Sequence, residues 1–202
     1  MFFGGEPSLN VDVITDCCVF VKELRNRNLI KNMPQFAVIS NLAAVGPNFD
    51  LFLAVCKTFD ISVTVSIDGP KDIHDANRPT LKGRGSYENV KRNYFAAQKL
   101  GIPLQIECTY TKQHVQSGLS VLDLMKFFKS EFGVSHSHIS PASCSPISSE
   151  IPTQRAIIDA YCEAIKYMIE TLHTPDYLVR HDDLGFLGRR WLAIPGWVSS
   201  CW

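Results

Sequence analysis

Two adjacent glycines precede a carboxylate at Gly4-Gly5-Glu6-Pro7. Paired glycines take backbone angles closed to other residues and let a ligand approach the main chain. Glu6 and the carbonyls exposed around it therefore offer an ammonium group several acceptors in one place; the alternative for such a stretch is a surface turn. A second set of polar groups lies at Val65-Ser66-Ile67-Asp68-Gly69-Pro70. Ser66 and Asp68 alternate with an apolar pair and so share one face of a strand, although Asp68 also suits a hydrogen bond to the Gly69-Pro70 turn. Arg78 follows in the loop His74-Asp75-Ala76-Asn77-Arg78-Pro79. A planar guanidinium is the side chain best built to grip a carboxylate with two parallel hydrogen bonds. His74 reads as a residue that orders this loop and not as a general base.

Further polar groups stand where other strands should end. Asn41 closes Phe36-Ala37-Val38-Ile39-Ser40-Asn41, Glu107 and Tyr110 lie late in the run 102–111, and Ser140 and Pro141 end a later one. His136 and His138 have the i, i+2 spacing of one strand face, but no third ligand lies nearby, so hydrogen-bonded or exposed histidines are the reading. Asn10 suits the N-cap of a helix starting near Val11.

The elements that must hold these residues alternate along the chain. Phe2 and Phe3 read as the end of a buried strand. Ile14, Cys17, Cys18, Val21 and Leu24 recur at helical spacing, with Arg25 and Arg27 at the negative end of that helix. A strand at 36–41 precedes a helix burying Phe49, Phe52, Leu53, Cys56 and Phe59, and Ile61, Val63, Val65 and Ile67 alternate in the next strand. A Gly- and Pro-rich loop runs to Ser86, the expected N-cap of a helix ending at Lys99, with Gly101 as its stop. A strand at 102–111, a helix lined by Leu119, Leu122, Met125, Phe128 and Phe132, and a strand at 134–142 follow. A Ser- and Pro-rich loop at 143–152 leads to a helix with the stripe Ile157, Ile158, Tyr161, Ile165, Met168, Ile169 and Leu172. Five strand-helix units in succession imply a parallel sheet with right-handed crossovers, as a partial barrel or a doubly wound sheet.

Composition sets outer bounds. The 202 residues are 46% hydrophobic, enough for one domain with a sizeable core. Twenty basic and twenty acidic residues cancel, which gives no electrostatic case for nucleic acid or an anionic membrane. No stretch approaches a membrane span and the first residues lack the basic region of a signal peptide. The seven cysteines, Cys17, Cys18, Cys56, Cys108, Cys144, Cys162 and Cys201, mostly sit in apolar patterns, which suggests reduced thiols and a cytoplasmic location.

The stretch Phe2-Phe3-Gly4-Gly5-Glu6-Pro7-Ser8-Leu9-Asn10 resembles the second-strand motif of the radical S-adenosylmethionine (SAM) enzymes, and residues 65–79 resemble the fourth-strand segment of their SPASM-type peptide and protein maturases. The resemblance implies a partial (β/α)6 TIM-like barrel. It also implies that Gly4, Gly5, Glu6 and Pro7 hold the SAM amino group, that Ser66 with Asp68 meets its ribose or carboxylate, and that Arg78 clamps the carboxylate. Ser140 and Pro141 stand where relatives contact the adenine, and Asn41 where they often carry Thr-Asn-Gly, although the glycine is replaced here by Leu42.

Members of that family hold a [4Fe-4S] cluster with Cys-x3-Cys-x2-Cys, a spacing absent from this sequence. The expectation is a radical SAM core fragment at 1–174, covering strands two to six and missing the first β/α unit. A bridge at 175–202 would lead toward a SPASM-like domain. Cys201 is then either the first ligand of an auxiliary cluster or a terminal thiol. The implied activity is radical hydrogen abstraction from a peptide or protein substrate, with no catalytic acid or base assigned. A cluster-free nucleoside- or peptide-binding protein is the alternative.

Overall fold

The computed structural model describes residues 1–134, 137–142 and 152–171. Four strands form one parallel sheet in the order β1 (Ala37–Ser40), β2 (Ser62–Ser66), β3 (Leu104–Tyr110) and β4 (Ser137–Pro141). Neighbours in sequence are neighbours in the sheet, so each connection carries a helix back across it. These helices are α2 (Pro47–Thr58) after β1, α4 (Tyr87–Lys99) after β2 and α6 (Val121–Phe132) after β3. Helix α1 (Val11–Asn26) precedes the sheet and α7 (Gln154–Thr171) follows β4. This α/β architecture is a partial barrel of the kind expected from the sequence.

The sheet has one face for helices and one for polar chemistry. Val63, Val65 and Ile67 are completely buried, whereas Thr64 and Ser66 between them are half-buried. The same alternation continues in β3, with Ile106 and Cys108 buried and Glu107 and Thr109 half-buried. A period of two thus assigns each residue to one of the two environments before any contact is made.

The apolar layer is tied together by aromatic rings. Phe132 at the end of α6 meets Tyr94 of α4 edge-on at 4.9 Å and Phe95 in a stack at 5.9 Å. Helix α6 starts with a reciprocal cap, in which Ser120 Oγ accepts from the Asp123 N–H and the Asp123 carboxylate accepts from the Ser120 N–H. It stops at Gly133, which takes the left-handed conformation with φ of 69°.

Several expectations are corrected. Phe2 forms a single parallel bridge to Val38, donating to Ala37 O and accepting from the Ile39 N–H, and Phe3 is exposed. The opening pair is one rung at the edge of the sheet and not a buried strand. Cys17 points to solvent while Val11 takes the buried place beside Ile14 and Cys18, because an apolar stripe on a helix rotates with the 3.6-residue turn. The loop before Ser86 contains the helix α3 (Lys71–Asn77), and α5 (Lys112–Gln116) follows β3. Asn10 and Ser86 occupy N-cap positions but make no side-chain cap bond. In α7 the buried stripe is Ala160, Tyr161, Ala164 and Met168, with Ile169 exposed. Alanine lets α7 lie close to α6 where a larger side chain would hold it off. Leu172, the loop at 143–151 and the segment 175–202 lie outside the described residues.

Truncating the ring at the centre of the α4–α6 contact tests this core. Phe132→Ala is expected to lower unfolding free energy by about 3–5 kcal/mol, the range for a large aromatic removed from a packed core. Urea denaturation followed by circular dichroism measures it.

Candidate functional site

In a parallel sheet every strand ends at the same edge. Asn41, Asp68, Thr111 and Pro141 follow or close β1 to β4, and the Gly4-Gly5-Glu6 turn lies beside β1. The edge therefore gathers residues far apart in sequence.

Glu6 is held in place by three donors. Its Oε1 accepts from the Ser8 N–H at 3.0 Å and from Ser40 Oγ at 2.6 Å, and its Oε2 accepts from the Asn41 N–H at 2.8 Å. The carboxylate thus ties the glycine turn to the end of β1 and retains about one of its roughly four acceptor sites for a ligand. Asn41 Oδ1 in turn accepts from the Ala43 N–H at 2.8 Å. Leu42, where the related motif carries glycine, adopts φ of 48° and is completely buried. A left-handed leucine costs roughly 1–2 kcal/mol. Asn93 of α4 offsets that strain, since its amide nitrogen donates to Leu42 O and Ala44 O, each at 2.7 Å. Asn93 escaped the sequence reading because a polar residue on an amphipathic helix ordinarily faces solvent. Here it is buried.

Beside this loop, Asp68 and Arg78 form a paired fork. Arg78 Nε donates to Asp68 Oδ2 at 2.8 Å and Nη2 to Oδ1 at 3.1 Å. The Thr109 N–H also donates to Oδ1, at 3.1 Å. Asp68 is buried and Arg78 is about a third exposed. The guanidinium presents five donors; Nε and Nη2 are engaged with Asp68, and the pair does not use its Nη1 donors.

Two buried histidines hold the backbone of this turn. The Asp68 N–H donates to His74 Nδ1 at 3.3 Å, His74 Nε2 meets Ser86 Oγ at 3.0 Å, and Ser86 Oγ donates to Arg78 O at 2.6 Å. On the other side His114 Nε2 donates to Asp68 O at 2.6 Å, and the Thr111 N–H donates to His114 Nδ1 at 3.0 Å. Burial pushes both imidazoles below their ordinary value of 6.5, against the nearby Asp68 charge. Gly69 between them has φ of 119°, and a Cβ there would lie 2.7 Å from Leu124 Cδ2. His74 therefore orders the turn, as expected, but from within a helix. His114 was missed because its role depends on a contact 46 residues away.

Ser66, Glu107 and His138 lie in register across β2, β3 and β4 on the open face. Glu107 and His138 approach to 3.6 Å, and the neighbouring imidazole holds the Glu107 carboxyl below its ordinary value. Ser140 and Pro141 are half-buried in register with Thr109 and Tyr110. Tyr110 itself is corrected: it is buried on the helix side and donates to Leu119 O, away from the open face. His136 and Cys201 lie outside the described residues, and among the described residues no three potential ligands converge on a metal site. A crevice of about 270 Å³ opens where Asn41, Ala43, Arg78, Pro79, Thr80 and Leu81 meet.

No family model matches the chain. It is 26% identical over 131 residues to the cysteine-type anaerobic sulfatase-maturating enzyme of Clostridium novyi, an alignment covering 64% of this chain and 33% of that protein. The structure of native anSMEcpe with bound AdoMet superposes with a TM-score of 0.71 at 18% identity, covering 95% of this chain and 51% of that one. This chain resembles the sulfatase-maturating enzymes in sequence and in fold. Streptococcus suis SuiB bound to S-adenosylmethionine shares the fold more distantly, with a TM-score of 0.52 at 13% identity, covering 82% of this chain and 36% of that one. The chain spans about a third of the length of the curated relative it matches.

In this core the neutral histidines make stability depend on pH. Because both pKa values are lower in the folded state than the unfolded value of 6.5, the unfolded chain binds more protons below that pH. Stability is expected to be full above pH 6.5 and to fall as pH drops toward the lowered values. Urea unfolding from pH 8 to pH 5 measures it, and a flat profile above pH 5 contradicts it.

Proposed function

We propose that this chain binds S-adenosylmethionine at the C-terminal edge of its sheet, as part of a radical SAM enzyme that modifies a peptide or protein substrate. The observation that carries the reading is the Arg78 fork on buried Asp68 beside an open crevice. A guanidinium with donors to spare at a concave surface suits a carboxylate. The Gly4-Gly5-Glu6 turn supplies backbone carbonyls and a carboxylate for an ammonium group on the same edge. Ser66 and Asn41 add polar contacts, and Ser140 and Pro141 border the far end, where an adenine would lie. These groups fit the amino acid part of SAM, whose cleavage supplies the 5′-deoxyadenosyl radical used for hydrogen abstraction.

The protein's own work in this reading is placement. Glu6 and Arg78 hold the two charged ends of an amino acid at a separation set by the rigid end of β1 and the Gly69 turn. Partial burial removes competing water and strengthens both contacts. The open polar face formed by Ser66, Glu107 and His138 would receive a peptide segment.

The described cysteines do not fit a [4Fe-4S] cluster. Cys18, Cys56 and Cys108 are buried, and burial pushes their thiols upward, Cys56 to about 12. No step is assigned through a cluster held by these residues. A binding protein without chemistry would use the same edge, and release of 5′-deoxyadenosine on reduction separates the two readings. We further propose a cytoplasmic location and a peptide or protein partner; the formal charges balance, and no described helix is long and apolar enough to cross a membrane.

Isothermal titration with S-adenosylhomocysteine tests the site. Arg78→Ala is expected to weaken binding by about 1.5–3 kcal/mol, the range for a hydrogen bond to a charged group. Equal affinity of the wild type and Arg78→Ala removes the guanidinium from the site.

A further inference from the structure

We propose that His74 and His114 are positioning residues for Arg78, so that the chain grips a ligand carboxylate only while both imidazoles are neutral. This inference rests on the reading of Arg78 as a ligand-binding residue.

The hydrogen bonds form a closed circuit. Asp68 N–H donates to His74, His74 contacts Ser86, Ser86 donates to the Arg78 carbonyl, and the Arg78 guanidinium returns to the Asp68 carboxylate. His114 closes the other side by donating to the Asp68 carbonyl. Donor and acceptor identities fix the tautomers. His74 Nδ1 and His114 Nδ1 each accept a backbone N–H, so neither carries a proton. The remaining proton of each ring is on Nε2, directed to Ser86 Oγ and Asp68 O.

Adding a proton would set N–H against N–H at Asp68 and at Thr111. Both contacts would break, and with them the backbone geometry that aims the Asp68 carboxylate at Arg78. The charged surroundings of His74 are mixed: Asp68 and Asp75 favour the imidazolium, while Arg78 and Lys71 oppose it. At the start of α4, the N-cap residue Ser86 and the Tyr87 ring, edge-on at 5.7 Å, complete its shell. His114 faces Asp68 as its one nearby charge and the Tyr110 ring, stacked at 5.0 Å. Burial of both rings is complete. The site is thus neutral by construction at pH 7 and yields to protons below the ordinary imidazole range.

The test separates positioning from general loss of fold by comparing two ligands. S-adenosylhomocysteine carries the carboxylate, and 5′-methylthioadenosine lacks it. Lowering pH from 7.5 to 5.5 is expected to weaken S-adenosylhomocysteine binding to the wild-type chain by about tenfold, the lower bound for losing a hydrogen bond to a charged group, while methylthioadenosine affinity changes less than about twofold. Arg78→Ala should abolish that difference, and His74→Gln and His114→Gln should weaken S-adenosylhomocysteine selectively at pH 7.5. Nitrogen-15 spectra of the imidazoles should show the Nε2–H form of both rings at that pH. Parallel weakening of the two ligands, pH dependence that survives in Arg78→Ala, or an Nδ1–H tautomer at either histidine overturns the inference and leaves the functional reading intact. A wild-type chain that binds neither ligand at pH 7.5 overturns that reading, and the inference with it.

Discussion

The ion pair between Asp68 and Arg78 is the interaction on which the polar edge of this fold depends. A carboxylate this deeply buried is unstable alone, because removing it from water costs several kcal/mol that only close, well-directed donors offset. Arg78 supplies two and the Thr109 backbone a third. The pair also fixes chain geometry, since Asp68 follows β2, Arg78 follows α3 and Thr109 belongs to β3. One carboxylate thus joins the loop after β2, the residue after α3 and the main chain of β3.

Neutral polar groups then hold what the ion pair cannot. His74 and His114 satisfy the two main-chain groups of Asp68, which would otherwise be buried without partners. Their own remaining nitrogens are satisfied by Ser86 and Thr111. A fully satisfied network of this kind is rigid, because each member can move only by leaving another unpaired. Next to it, Asn93 performs the same service for the left-handed Leu42, and Glu6 for the N-terminal turn. The edge of the sheet is therefore held by long-range hydrogen bonds from helices and turns, and not by the strands alone.

The fold explains why such an edge is available. Parallel strands with helices on one face leave the other face and one rim for function, a consequence of right-handed crossovers that return each strand in the same direction. Solved structures with bound AdoMet share this architecture. The row Ser66, Glu107 and His138 shows how register converts three separate strand positions into one polar surface.

Much of this was legible in the sequence, and the boundary falls along a physical line. Alternation of Val63, Val65 and Ile67 with polar residues, the helical stripe of Phe49, Phe52, Leu53 and Cys56, and the Gly101 stop are local properties, and they determined the α/β order of elements. The resemblance of residues 65–79 marked Asp68 and Arg78 as candidates, and side-chain chemistry, carried by residue type, agreed with it. The tertiary structure alone decided which groups meet. Arg78 grips Asp68 itself, His114 reaches back to the Asp68 carbonyl, Asn93 turns inward to Leu42, and Tyr110 faces the helices and not the rim. Each of these depends on directions in space set by crossovers and register, whereas periodicity records only how often a side chain is buried. Buried hydrogen bonds between distant residues leave no period behind, so they became visible only once the sheet had brought its ends together.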